Sequence, residues 1–235
     1  MSGQGALKLG GDVRLEVIPA PPNWGSPGIQ EPTLRECIRL GFPRVGLPDE
    51  VNVWRTKNLP HLYRGLRDVR AAQKSRAPTF LGFLHLAKIL RDGTRVELGL
   101  ANARVVTTAW VNFLVDSMQD AESNLIDLFI YHGIGTGSTA EAAGDTDVET
   151  ELTTQYQTNN TRATGTATEG ASANIYRSVG TNQVDAAVAI TEHGLLNNAT
   201  VGSGTLLDRT VFSVVNLASG ESLQSTYELT VSAGG

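Results

Sequence analysis

Four carboxylates alternate along Asp145, Asp147, Glu149 and Glu151, a spacing that sets them on one face of a strand or around one loop. A hard cation such as calcium could bind there, but the spacing departs from an EF-hand loop, and a solvated acidic face is the expectation. Just before them, Gly133-Ile-Gly135-Thr-Gly137 looks like a phosphate cradle. It lacks the Lys-Ser/Thr pair of a P-loop and precedes no clear helix, so it reads as a strand exit. His61, His85, His132 and His193 show neither helical pair spacing nor local clustering, and each reads as structural. Cys37 is the one cysteine, which excludes an internal disulfide and fits a small buried apolar group. With no Gly-x-Ser-x-Gly elbow and no evident glycosidase carboxylate pair, the sequence nominates no nucleophile. No enzymatic activity, cofactor or metal is expected.

Recognition chemistry is better represented. Through Phe80 there are twelve Lys/Arg against seven Asp/Glu, and from Leu81 onward seven against seventeen. All nine prolines fall at or before Pro78. Arg55, Lys57, Arg64, Arg67 and Arg70 belong to a basic stretch ending at Arg76 in which Asp68 is the one acid. Such a stretch suits an acidic protein surface. Nucleic acid is the rival partner, disfavoured by interleaved leucines and prolines, by the absence of a recognised motif and by a sequence pI near 5.4. Trp24, Phe42, Trp54 and Tyr63 are the aromatic anchors of the same region.

The prolines restrict the elements that could hold these residues. Residues 1–80 are expected to form a long, irregular N-terminal arm, ordered by a neighbouring surface, with only short pieces of regular structure. These are a strand over Val13 to Ile18, a helix over Thr33 to Leu40 and a second helical candidate over Leu62 to Ser75. Residues 81–235 read as a β-rich body, and 40% hydrophobic with 18% charged residues is a globular composition. Asp92-Gly93 predicts a type I′ hairpin turn between strands. Trp110, Phe113, Leu114 and Met118 recur at helical spacing behind Thr107 or Thr108, predicting one amphipathic helix near 108–120. Strands are expected over 125–134, 162–168, 174–179, 186–195, 205–215 and 222–231. Their spacing favours an antiparallel β-sandwich or jelly roll. No run approaches the length of a membrane span and no leader pattern opens the chain, so synthesis in a cytoplasm, without membrane insertion, is expected.

Four phrases carry a resemblance. Tyr131-His-Gly-Ile-Gly-Thr-Gly-Ser-Thr-Ala-Glu-Ala-Ala-Gly-Asp-Thr146, Ile190-Thr-Glu-His-Gly-Leu195, Gly204-Thr-Leu-Leu-Asp-Arg-Thr-Val-Phe212 and Gly220-Glu-Ser-Leu-Gln-Ser-Thr-Tyr-Glu-Leu-Thr230 resemble small structural proteins of tailed bacteriophages, over roughly residues 105–235. Head decoration (cement) proteins are the most similar in kind. The resemblance implies a virion structural protein, and a projecting arm that can reach across a neighbour on a repeating lattice favours the head: a non-enzymatic protein on its outer surface, made in the host cytoplasm, trimeric, and bound to the major capsid protein and to neighbouring copies of itself. Tail, neck or fibre components, and a glycan-binding module on the same sandwich, are the alternatives.

Overall fold

The computed structural model describes residues 41–44, 46–74, 78–119, 126–157 and 159–233. The strand expected over Val13 to Ile18, the helix over Thr33 to Leu40, Cys37 and Trp24 lie outside these residues. Within them the chain is mainly antiparallel β, with two sheets and two helices.

Helix α1 (Asp49–Lys74) comes first, and it corrects the expectation of short pieces between prolines. It runs through Pro60, which lies on the solvent side, where the backbone carbonyl that loses its donor can be met by water. The helix persists because its other face is fully used. Val51, Trp54, Leu59, Leu62 and Val69 are buried on a common stripe, so tertiary burial overrides the local cost of the proline.

Strands β1 (Thr79–Ile89) and β2 (Arg95–Val105) form the expected hairpin, though with a different turn. Gly93 N donates to Leu90 O and Leu90 N to Thr94 O, both at 2.9 Å, and Gly93 takes φ +84° while Asp92 does not turn positive. This is a three-residue loop with a glycine bulge in place of type I′, and Asp92 Oδ1 secures it by accepting from Thr94 N at 2.8 Å.

Helix α2 (Thr108–Gln119) starts where expected, with Thr107 Oγ1 accepting from Trp110 N at 3.1 Å as its cap. Trp110 is buried, and Phe113 and Leu114 are partly so, but Met118 is 77% exposed and falls off the inward face. A short 3₁₀ turn (Ile126–Leu128) then replaces the first part of the strand expected at 125–134, leaving β3 (Tyr131–Gly135). The strand expected at 162–168 is split at Gly165 into β4 (Ala163–Thr164) and β5 (Thr166–Glu169), which belong to different sheets. A Cβ at Gly165 would overlap Ser178 Oγ, so glycine is what lets the chain cross at that point. Strands β6 (Ile175–Gln183), β7 (Val188–Leu196), β8 (Leu206–Leu217) and β9 (Ser222–Ser232) follow the expected sequence of strands.

One sheet has the order β2-β1-β9-β6-β5 and the other β4-β3-β7-β8, and every named pair is antiparallel. Leu84, Leu86 and Leu223 of the first share a buried cluster with Ile134, Ile190 and Phe212 of the second, a packing consistent with a β-sandwich.

Edge strands β2 and β8 leave backbone groups without a neighbouring strand, and α1 supplies partners for them. The β1–β2 register skips at Leu98 and at Ala101. Arg55 Nε donates to Leu98 O (2.7 Å) and Asn58 Nδ2 to Ala101 O (2.7 Å). Across the sandwich, Trp54 Nε1 donates to Ser213 O (2.8 Å) and Asn58 Oδ1 accepts from Ser213 N (2.8 Å), in a stretch where β8 slips against β7. Asn58 thus joins both edges. Replacing Asn58 by Ala orphans Ala101 O and Ser213 N together and should cost about 1–3 kcal/mol per group. Urea unfolding measures the loss, and a change within the small range of ordinary surface substitutions would mean that α1 does not brace the edges.

Candidate functional site

Of the residues expected to meet a partner, Phe42 precedes α1 and those on the helix divide over its faces. Trp54 and Arg55 are buried against the chain's own strands, Arg55 with 3% exposure. Phe42 and Tyr63 are half-buried, with ring centroids 5.7 Å apart. Arg64 reaches Glu141 at 2.9 Å. Lys57, Arg67 and Arg70 are exposed, with Arg67 3.1 Å from Asp68. At 100° per residue these three project away from the stripe holding Val51, Leu62 and Val69, and Lys74 shares their exposed side. The helix therefore uses Trp54 and Arg55 to fix itself and presents Lys57, Arg67 and Arg70 outward.

The acidic run keeps Asp147 and Glu149 exposed, as a solvated face would, but all four carboxylates are also ion-paired. Arg209 pairs with Asp145 (3.1 Å), Glu149 (2.7 Å) and Glu192 (2.7 Å), and Arg162 with Asp147 (3.5 Å) and Glu151 (2.6 Å). Both guanidinium groups are buried, and the alternating carboxylates close around them. Burial opposes the Arg209 charge, yet hydrogen bonding to Glu192 and the charges of Glu192 and Asp145 hold its pKa above the ordinary value. Glu192 organises the loop directly. Its Oε1 accepts from Gly137 N (2.8 Å) and Thr150 N (2.7 Å), and its Oε2 from Glu149 N (3.0 Å) and Arg209 Nε (2.7 Å). The glycines once readable as an anion cradle serve carboxylates: a Cβ at Gly135 or Gly137 would press on Glu192 Oε1, and one at Gly133 on Glu151 Oε1. Among the described residues no group of three or more His, Cys, Asp and Glu is arranged to hold a metal ion.

Two histidines that looked scattered meet in the interior. His132 Nδ1 lies 2.9 Å from His193 Nε2, and His132 Nε2 lies 2.9 Å from Ser178 Oγ, so one hydrogen-bonded row runs from β7 through β3 to β6 and ties the two sheets. Asn182 Nδ2 adds a bond to His132 O at 3.0 Å. Desolvation keeps both imidazoles neutral, lowering His132 to about 3 and His193 well below its ordinary value. Asp208, also buried, is pushed up to about 7 by desolvation, with Arg104 opposing. These polar groups sit among two apolar clusters, one around Leu84, Ile134 and Phe212 and the other around Trp110, Leu195 and Tyr227.

The open surface includes a groove of about 760 Å³ on the outer side of β1, β2, β6 and β9, lined by Arg44, Arg55, Leu81, Phe83, Arg177 and Glu228 among others. No helix among the described residues is long and apolar enough to cross a membrane. No family model, curated protein or solved structure matches the chain.

Two outcomes follow from this chemistry. Glu192→Gln leaves Arg209 short of a buried counter-charge and should destabilise the fold by about 3–5 kcal/mol, whereas the exposed Glu169→Gln should be near neutral. Equal effects in chemical denaturation would refute the role given to Glu192. For Asp208 the folded pKa is raised, so its contribution is full below the ordinary carboxylate value near 4 and is lost as pH rises through about 7. The stability of Asp208→Asn relative to the parent should therefore climb by on the order of 1 kcal/mol per pH unit across that window, and a flat difference would contradict it. His132 and His193 act with the opposite sign: both contribute above about pH 6.5 and lose the contribution as pH falls, His132 as it passes through about 3.

Proposed function

We propose that the chain is a non-enzymatic structural protein of a tailed-phage virion, a cement protein that binds the outer surface of the head as a homotrimer and stabilises it. The observation that carries the reading is the outward face of α1, where Lys57, Arg67 and Arg70 stand exposed on a helix pinned by Trp54, Arg55 and Asn58, in a chain of net charge −5. Cations placed on a fixed helix spare the backbone cost of ordering on docking and steer the chain toward an acidic surface such as that of a major capsid protein. Arg162 and Arg209, by contrast, are buried among carboxylates of the chain itself. The phrases resembling virion proteins support the same reading. Three of them fall on β3, β7 and β8, neighbours in one sheet, and the fourth on β9.

A repeating lattice favours such an arrangement, because each weak ionic contact is multiplied by the copies held together. The test is sedimentation with purified heads that lack the protein. Lys57→Glu, Arg67→Glu and Arg70→Glu combined should weaken binding at least about tenfold while leaving thermal unfolding unchanged, and added salt should weaken the parent in the same direction. Undiminished binding by the triple variant would overturn the docking face. Labelled protein found on the tail of intact particles would instead favour the tail, neck or fibre reading.

A further inference from the structure

Two arginines line the groove without a carboxylate bonded to either of them among the described residues. Arg55 is almost wholly enclosed and lines the groove, its Nε and Nη1 bonded to the carbonyls of Leu98 (2.7 Å) and Phe42 (3.0 Å). Arg44 lines it as well, and its Nε is buried without a hydrogen-bond partner. The arrangement is built rather than accidental. Asn52 clamps the Arg44 backbone at both N–H and C=O, each at 2.9 Å. Gly99 takes φ +91° beside a register skip in β2, and a Cβ there would come within 2.7 Å of Arg55 Nη2. The two positive charges repel: after desolvation, Arg44 is the next cause lowering the Arg55 pKa. Glu97 offsets some of this, but it is engaged by Arg95. Arg177 is likewise taken by Glu228 at 2.7 Å. The other charges of the groove are thus paired, and Arg44 with Arg55 remain as its uncompensated end.

We propose that Arg44 and Arg55 form an oxyanion site, and that its occupant is a carboxylate on an extended acidic segment of a partner protein lying along the groove. The free Arg44 Nε is the donor that a side-on, bidentate carboxylate uses. Beyond the arginines the floor continues along β1 through Leu81, Phe83 and His85, a span of about 13 Å. It is flanked by Ile175, Thr226 and Thr230. That length fits several extended residues, with an apolar row on β1 beside a polar row on β9, whereas a lone inorganic anion would fill the arginine end and leave the rest empty. The inference shares with the cement reading the premise of an acidic protein partner, but it concerns a different surface from the outward face of α1.

The test uses the full-length chain and a fluorescein-labelled peptide of alternating Asp/Glu and Val/Leu, with the same peptide carrying Asn/Gln as its control. The acidic peptide should bind with an anisotropy change that the amide version loses by about tenfold or more. Arg44→Gln should cost a similar factor, while Arg91→Gln, at the β1–β2 turn, should cost almost nothing. Because Arg44 repels Arg55 in the empty site, Arg44→Gln should also raise the unfolding temperature, the reverse of what a structural arginine would do. Equal binding of both peptides, equal losses in both variants, or a lowered unfolding temperature in Arg44→Gln would each overturn the proposal. Binding of inorganic phosphate with indifference to the peptide would do so too. Peptide binding requires no phage heads, so its failure is distinguishable from failure of the head-binding experiment.

Discussion

The structure depends on how two sheet edges are closed. Strands β2 and β8 end their sheets on the same side, and an antiparallel sandwich left open there would expose backbone groups able to recruit other strands. Helix α1 closes that side with side chains that act as substitutes for a neighbouring strand, and the register skips in β2 and β8 are where the bonds are made. Gly65 permits the approach: a Cβ there would overlap Asn102 Oδ1 and Ala103 O, so the helix lies almost on the β2 backbone. Once the buried stripe is fixed in this way, the direction of the opposite stripe follows from helix geometry alone. The exposure of Lys57, Arg67 and Arg70 is a consequence of how the edges are sealed.

Charge burial is handled in three ways, each with a different energetic character. Around Arg162 and Arg209, charges are matched and hydrogen-bonded, so loss of one partner is costly although the intact network contributes little beyond an apolar replacement. At His132 and His193 the groups stay neutral, which removes the desolvation cost of a charge but links the fold to acid. At Arg44 and Arg55 neither remedy is applied. Like charges left adjacent and partly dehydrated are a cost to the free protein, and such a cost is retained where it is relieved by binding.

Much of the β order was legible because alternation and turn residues set it locally. The strands from Ile175 to Ser232 follow turns that glycine and asparagine announce, and Thr107 announces α2. What failed to show had nonlocal causes. The length of α1 is decided by surfaces 40 or more residues away, as in the Arg55–Leu98 and Trp54–Ser213 bonds, so the local signal of Pro60 pointed the wrong way. The His132–His193 pair joins positions 61 residues apart, and the slip of β7 against β8 hides their common inward side. With Ile190 inward, simple alternation would place Glu192 inward and His193 outward, whereas the irregularity at Thr191 reverses both. The acidic run was visible, but its counter-charges were not, since Arg162 and Arg209 come from elsewhere in the chain.

The same reasoning separates scaffold from recognition surface. Phrases that resemble virion proteins include Glu192, His193, Asp208 and Arg209, residues that hold the loop and the interior together. Those residues build the carboxylate-bound loop and the row of buried imidazoles, so they belong to the scaffold of the body. The surface on which the fold makes the least demand is the outward face of α1, where Lys57, Arg67 and Arg70 meet solvent. Under the proposed docking, a change of partner would alter Arg44, Lys57, Arg67 and Arg70 before it altered Glu192 or His132, which hold the fold.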